Sequence, residues 1–189
     1  ADARTARMGR SRARPARVLS CRMARAAAAR LLDAIDRIYA EDDLERFPWT
    51  VVRVLREAIP CLAVSYNDLD PEAGRIVAVS DPPDLLTPRN LEVWARLAHE
   101  NPLYRHQLAT GDLGPNSFGD VIERDELEAL ELYRELYTPM GVRDQLAFSL
   151  PAPPPQVIAI VISRDKIGFD AEEREIARSL QPHVTRAYD

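Results

Sequence analysis

The chain has 189 residues and a formal net charge of −5, with 46% hydrophobic and 29% charged residues, a balance that suits one globular domain with a real core. No apolar run approaches the roughly 20 residues needed to cross a bilayer. Two cysteines cannot build a disulfide framework or a four-cysteine zinc site, and seven glycines argue against a glycine-rich phosphate cradle.

The net charge conceals an asymmetry. Residues 1–30 hold nine arginines and one acid, a net +8, which leaves −13 for the remainder. Residues 1–22 show no hydrophobic period and read as an Arg-rich, disordered tail. Two other readings stay open: translation starting at Met8 or Met23, or an arm for nucleic acid or anionic membrane. Val18-Leu19 is too short for a signal-peptide core. The folded segment is 23–189, and its acidic surface repels phosphate backbones.

From Met23 to about Ala40 the pattern is helical, with Leu31, Ile35 and Ile38 on one stripe. A second helix is expected from Pro48 to Ile59, with Trp49, Val52, Leu55 and Ile59 as its buried face and Pro60 as its stop. Leu62, Val64 and Tyr66 then alternate with Ala63, Ser65 and Asn67, as in a strand. The turn chemistry of Asp70-Pro71-Glu72-Ala73-Gly74 leads to a second strand, Ile76 to Val79. Thr87-Pro88 looks like a cap followed by a first-turn proline. That helix carries Leu91, Trp94, Leu97 and Ala98 until Asn101-Pro102 interrupts it. A short helix follows from Leu103 to Ala109, stopped by Gly111. Residues 112–120 read as a loop or short strand around Phe118.

Asp125 to Tyr137 is expected to be one continuous helix, with Leu127, Leu130, Tyr133, Leu136 and Tyr137 on one face. Gln145 to Leu150 reads as a strand with Leu146, Phe148 and Leu150 together. Pro151 to Pro155 is a stiff connector. Val157 to Ile162 is apolar on both faces, the mark of a central, doubly covered strand. Asp170 and Glu173 have capping-box spacing and open a last helix through Ile176, Leu180 and Val184, with Pro182 inside it as an expected kink. The order predicts an α+β domain built on one antiparallel sheet flanked by helices, with amphipathic helices at both ends.

This order resembles the GAF/PAS-like sensor fold. Three stretches sharpen the likeness: Trp94 to Gly111, Leu127 to Leu150, and Ile162 to His183. They resemble the N-terminal half of LuxR-type transcriptional regulators, in which a GAF-like domain precedes a helix-turn-helix. The most specific pieces are Asn101-Pro102-Leu103, Leu132-Tyr133 through Pro139-Met140-Gly141-Val142, and Phe169 with the helix carrying Pro182-His183. The resemblance implies a non-catalytic, cytoplasmic sensory and dimerisation domain with no cofactor, no metal and no membrane contact. It implies an unidentified small-molecule ligand, a homodimer formed through the terminal helices, and DNA contact only through a C-terminal domain outside this chain. A ligand-free dimerisation scaffold, or a small enzyme on the same fold, are the alternatives.

Chemistry-bearing residues favour no catalyst. His99 and His106 lack the i, i+4 spacing of a zinc pair, and Asn101-Pro102 breaks the helix between them. His183 reads as a structural residue, Cys61 as a small buried hydrophobe, and Glu172-Glu173 as carboxylates favoured in a first helical turn. The aromatic set carries the functional promise. Tyr66, Trp94, Tyr104, Tyr133 and Phe148, with His106, are the candidate ligand-binding residues, and Tyr137, Asn67 and Arg105 are expected nearby. The preferred reading of the same aromatics is simple core filling, with ligand binding the sharper alternative.

Overall fold

The computed structural model describes residues 28–70 and 74–188. The Arg-rich tail, its alternative starts, Cys21 and the tip of the first hairpin lie outside the described residues.

Helix α1 covers 28–39, and α2 spans Phe47–Ala58. Pro48 starts α2 as expected, but the buried stripe is Phe47, Val51, Val52, Val54 and Leu55, while Trp49 stays 38% exposed. Val52, Leu55 and Ile59 are buried as expected, and Phe47, before the first proline, enters the core where Trp49 was expected. Strands β1 (Ala63–Asp70) and β2 (Arg75–Asp81) form the expected hairpin. Helix α3 is Pro88–Leu97, with the Thr87 hydroxyl accepting from Asn90 N. Helix α4 is Pro102–Thr110. The Asn101 side chain caps it by accepting from Tyr104 N at 2.8 Å, and Gly111 ends it at φ 71°, where a side chain would be strained. Strand β3 is only Asn116–Ser117 and runs into the single turn α5, Phe118–Val121.

The expected Asp125–Tyr137 helix is broken. Helix α6 is only Arg124–Ala129, and Leu130 takes an extended conformation at ψ 139°. The chain re-enters a helix whose last five residues, Tyr133–Tyr137, form a π turn closed by Thr138 N donating to Tyr133 O at 2.9 Å. The break has a partner: the Glu100 carboxylate accepts from Leu132 N at 2.9 Å and so caps the second segment from a neighbouring turn. The wider π turn lets Tyr133, Leu136 and Tyr137 all face the same side.

Strands β4 (Asp144–Leu150) and β5 (Val157–Arg164) complete a five-stranded antiparallel sheet in the order β2-β1-β5-β4-β3. β5 is internal, as its two-sided apolar pattern required. Helix α7, Ala171–Tyr188, opens with the predicted box: Glu173 N donates to Asp170 Oδ1 at 2.9 Å, and Asp170 N to Glu173 Oε2 at 2.8 Å. It continues through Pro182 to Tyr188.

The two sheet faces differ. Val64, Tyr66, Leu146, Phe148, Leu150, Ile158, Ile160 and Ile162 form the main core with α1, α2 and α7. The terminal helices meet within that core through Ala34, Ile38, Leu180 and Val184, and Tyr39 OH lies 3.1 Å from His183 Nδ1. A second cluster gathers α3, α4, α5, α6 and the π turn beyond the other face. No helix among the described residues is long and apolar enough to cross a membrane.

Candidate ligand cavity

Alternation along the strands decides which residues look away from the main core. Ser65, Asn67 and Leu69 of β1 stand opposite Val161, Ala159 and Val157 of β5, and Ala147 and Ser149 of β4 continue the rows. These side chains are short or polar, so the sheet leaves space between itself and the helices above. That space is a partly enclosed cavity of about 150 Å³. Its roof and walls come from Trp94 of α3, Tyr104 and His106 of α4, Tyr137 of the π turn, and the 112–116 loop.

Its polar groups bond in pairs. Gln145 Nε2 donates to Ser163 Oγ at 3.0 Å, and both residues are buried. Asn67 Nδ2 donates to Ser65 Oγ at 3.0 Å. Ser149 Oγ donates to Gln107 Oε1 at 2.6 Å, which ties β4 to α4. Asn101 Nδ2 donates to Tyr137 OH at 2.7 Å, and burial pushes the Tyr137 phenol well up from its ordinary value. At the rim, His106 Nε2 lies 3.6 Å from Asp112 Oδ2. Asp112 is held below the usual carboxylate range by hydrogen bonds from Asn116 Nδ2 and Gly114 N.

Three of the six candidate residues, Trp94, Tyr104 and His106, line this cavity together. Phe148 borders it, but its ring belongs to the main core, because Phe148 has the parity of Leu146 and Leu150. Tyr66 is on the opposite face of the sheet, stacked edge-on with Phe47 at 6.4 Å. Tyr133 lies outside the cavity, in the second cluster, where its hydroxyl accepts from Arg124 Nη2 at 2.5 Å and its ring faces the guanidinium at 5.0 Å. Of the neighbours expected, Tyr137 and Asn67 line the cavity and Arg105 does not. Gln145, Ser149, Ser163 and Asn101 were missed. For the three strand residues the signal was present: small or polar residues recur at alternate positions on strands whose other positions are large and apolar.

The cavity wall is connected to the last helix. Gln181 Nε2 of α7 donates to Leu113 O at 2.6 Å and to Ser149 O at 3.0 Å. Arg174, seven residues earlier and so on the same side of α7, donates to Ser117 Oγ at 2.7 Å and to Asp120 Oδ2 at 2.6 Å. At the rim of the sheet, Cys61 is partly buried, and burial pushes its thiol up to about 11. No group of three or more His, Cys, Asp or Glu among the described residues is placed to hold a metal ion.

No protein-family model matches the chain. No curated protein matches it either. Solved structures match at the level of fold. The ligand-binding domain of VqsR from Pseudomonas aeruginosa superposes with a TM-score of 0.62 at 16% identity, covering 87% of this chain and 93% of that one. The N-acylhomoserine lactone-dependent LuxR-family transcription factor CepR2 from Burkholderia cenocepacia gives 0.57 at 11% identity over 85% and 92% of the two chains. The phycoerythrobilin-bound GAF domain of a cyanobacterial phytochrome gives 0.53 at 11% identity over 85% and 92%. The fold is therefore the α+β, GAF-like architecture shared with the ligand-binding domains of LuxR-type regulators.

Proposed function

We propose that this chain is the non-catalytic sensory domain of a LuxR-type transcriptional regulator, and that a small molecule bound in the cavity over the sheet is its signal. The observation that carries the reading is the cavity itself. Protein interiors are packed at crystal-like density. A partly enclosed space of about 150 Å³ beside a packed core is therefore a specific feature of this fold, with polar groups in its lining that a polar-tipped guest or water can meet. A floor made mostly of alanine, serine, asparagine and valine maintains that space, although the opposite face of the same strands is filled by isoleucine, leucine and phenylalanine. The fold likeness supports the same reading, because the ligand-binding domains of two regulators share it.

The output runs through α7. A ligand that shifts the 112–116 wall displaces the Leu113 carbonyl that Gln181 donates to and pulls on the adjoining Ser117, an acceptor of Arg174, and so changes how the terminal helix sits on the sheet. In the regulator, α7 leads to a DNA-binding helix-turn-helix. The domain acts in the cytoplasm and pairs with a second copy through the outer faces of its terminal helices, where Leu32 of α1 is 62% exposed.

Thermal shift tests the reading, with short-chain N-acylhomoserine lactones and single-ring aromatic amides as probes. A ligand at a hundred times its Kd adds about 2.7 kcal/mol of stability, a rise in Tm of about 8 °C for a domain of this size. The variant Ala159→Leu, which fills the floor, removes the rise. Absence of any rise across both probe classes, or a rise that survives the filled floor, overturns the reading.

A further inference from the structure

We propose that the notch between α6, the π turn and the start of β4 is a second ligand site, which takes a small, free oxyanion of two or more negative charges on Arg124, Arg134, Arg143 and the Tyr133 hydroxyl. The inference does not depend on the sensory reading above, because no residue lining the notch lines the cavity.

Three short elements bring these residues together. Arg124 opens α6, and Tyr133 and Arg134 open the π turn. Arg143 precedes β4, after the turn at Gly141, whose φ is 71°. Together they line an open notch of about 500 Å³. Among the described residues of its lining Glu128 is the one acid, so three guanidinium groups leave a net charge of +2. Residues 31–189 as a whole carry −13, so the notch is a positive spot on an acidic body.

Arg124 is fixed in place. Its Nε donates to Glu128 Oε1 at 2.6 Å, its Nη1 to Arg143 O at 2.7 Å and its Nη2 to Tyr133 OH at 2.5 Å. A guanidinium has five N–H groups, so two remain. Tyr133 is 7% exposed, and its hydroxyl accepts from Arg124 and keeps its own proton to give. The side chains of Arg134 and Arg143 are exposed and make no hydrogen bond or ion pair with any described residue. Glu131, whose charge also reaches Arg134, is engaged by Arg96 at 2.6 Å. Bonding capacity and positive charge are therefore both left over in one concave place.

Planar guanidinium forks match the paired oxygens of phosphate and carboxylate groups. An ion with at least two such charges neutralises the notch. Its size is limited by what surrounds it. A nucleic-acid backbone or a broad acidic protein surface would extend past the notch onto the acidic body and be repelled there. A compact ion meets the notch alone.

Pyrophosphate, citrate and a hexaglutamate peptide are titrated into the full chain at pH 7. The backbone amide NMR signals of Tyr133, Gly141 and Arg143 are followed, so that binding to the Arg-rich residues 1–30 reads elsewhere. Pyrophosphate and citrate are expected to move all three signals to saturation. Arg143→Gln is expected to weaken pyrophosphate about tenfold, with Tm in the absence of anions unchanged, since the side chain is exposed. Arg53→Gln, at an exposed arginine of α2, is expected to leave binding as it was. Three results overturn the proposal. Neither small anion moves the signals, or Arg53→Gln weakens binding as much as Arg143→Gln, which makes the attraction diffuse. In the third, hexaglutamate binds more tightly than both small anions, which makes the notch a dock for an acidic protein segment instead.

Discussion

Arg164 and Glu173 form the most buried ion pair among the described residues, and removing one partner makes a sharp test of how α7 is held. Arg164 is 2% exposed. Its Nη2 donates to Glu173 Oε1 and to Pro60 O, both at 2.6 Å. Its Nη1 donates to Glu173 Oε2 at 2.9 Å and to Gly168 O at 2.6 Å, and the guanidinium lies 4.0 Å from the centroid of the Phe169 ring. Truncating one member of such a pair strands the other charge away from water, at a cost of about 3–5 kcal/mol. Glu173→Ala also removes the acceptor for Asp170 N at the start of α7. About 4 kcal/mol corresponds to a fall in Tm of about 12 °C at about 3 °C per kcal/mol. Urea unfolding followed by circular dichroism measures the loss directly. The double variant Arg164→Met/Glu173→Met should recover most of it, since no charge is left buried and the exposed Pro60 and Gly168 can give their carbonyls to water. A loss below about 1 kcal/mol for Glu173→Ala, the range of a surface pair, refutes the reasoning, as does a double variant no more stable than the single one.

The same carboxylate sets an acid limit. Burial alone would raise the Glu173 carboxyl, but bonds from Arg164 and Asp170 N outweigh it and hold the group below its ordinary value. Asp120 is lowered likewise, with burial opposed by Arg174 and Ser117. A carboxyl depressed in the folded state stabilises it above the unfolded pKa of about 4 and loses that contribution as pH falls through the folded value. Stability measured from pH 6 down to pH 2 should therefore decline below about pH 4, and the decline should be shallower in Asp120→Asn. Asn101→Ala removes both the cap on α4 and the partner of Tyr137 OH. It should cost about 2 kcal/mol, with amide exchange accelerated first at Tyr104 and Arg105.

The elements that could be read from the sequence are those with a local physical signature. The Asp170–Glu173 box, the Thr87 cap, the glycine after α4 and the two-sided apolar run of β5 each specify their own structure without tertiary help. The elements that could not be read depend on distant partners. Nothing within Asp125–Tyr137 announces a break at Leu130, because the cap that stabilises the new start is Glu100, more than thirty residues earlier. Trp49 and Phe47 are both reasonable core residues, and only the packing of Phe47 against Tyr66 and Tyr188 decides between them. The candidate site failed at Tyr66 for a similar reason. Alternation separates Tyr66 from Ser65 and Asn67, but helices cover both faces of this sheet, so aromatic bulk pointed to the wrong side. The better indicator of a cavity was the residue type that does not fill space.

That distinction makes the two halves of the domain separable. Bulk and charge lie on the face that α1, α2 and α7 cover, while short neutral side chains lie on the face with the cavity. Helix α7 touches both regimes: Glu173 and Leu180 hold it to the stable face, whereas Gln181 reaches Leu113 and Ser149 of the cavity lining and Arg174 the adjoining Ser117. The helix is thus anchored at its start by a buried ion pair and tied further along to the lining of the cavity. Variants at the anchor should lower stability by more than variants at Gln145, but the two sets are coupled rather than additive, since Ser163, the partner of Gln145, adjoins Arg164 and the Asp144 carboxylate accepts from both Gln145 N and Gly168 N.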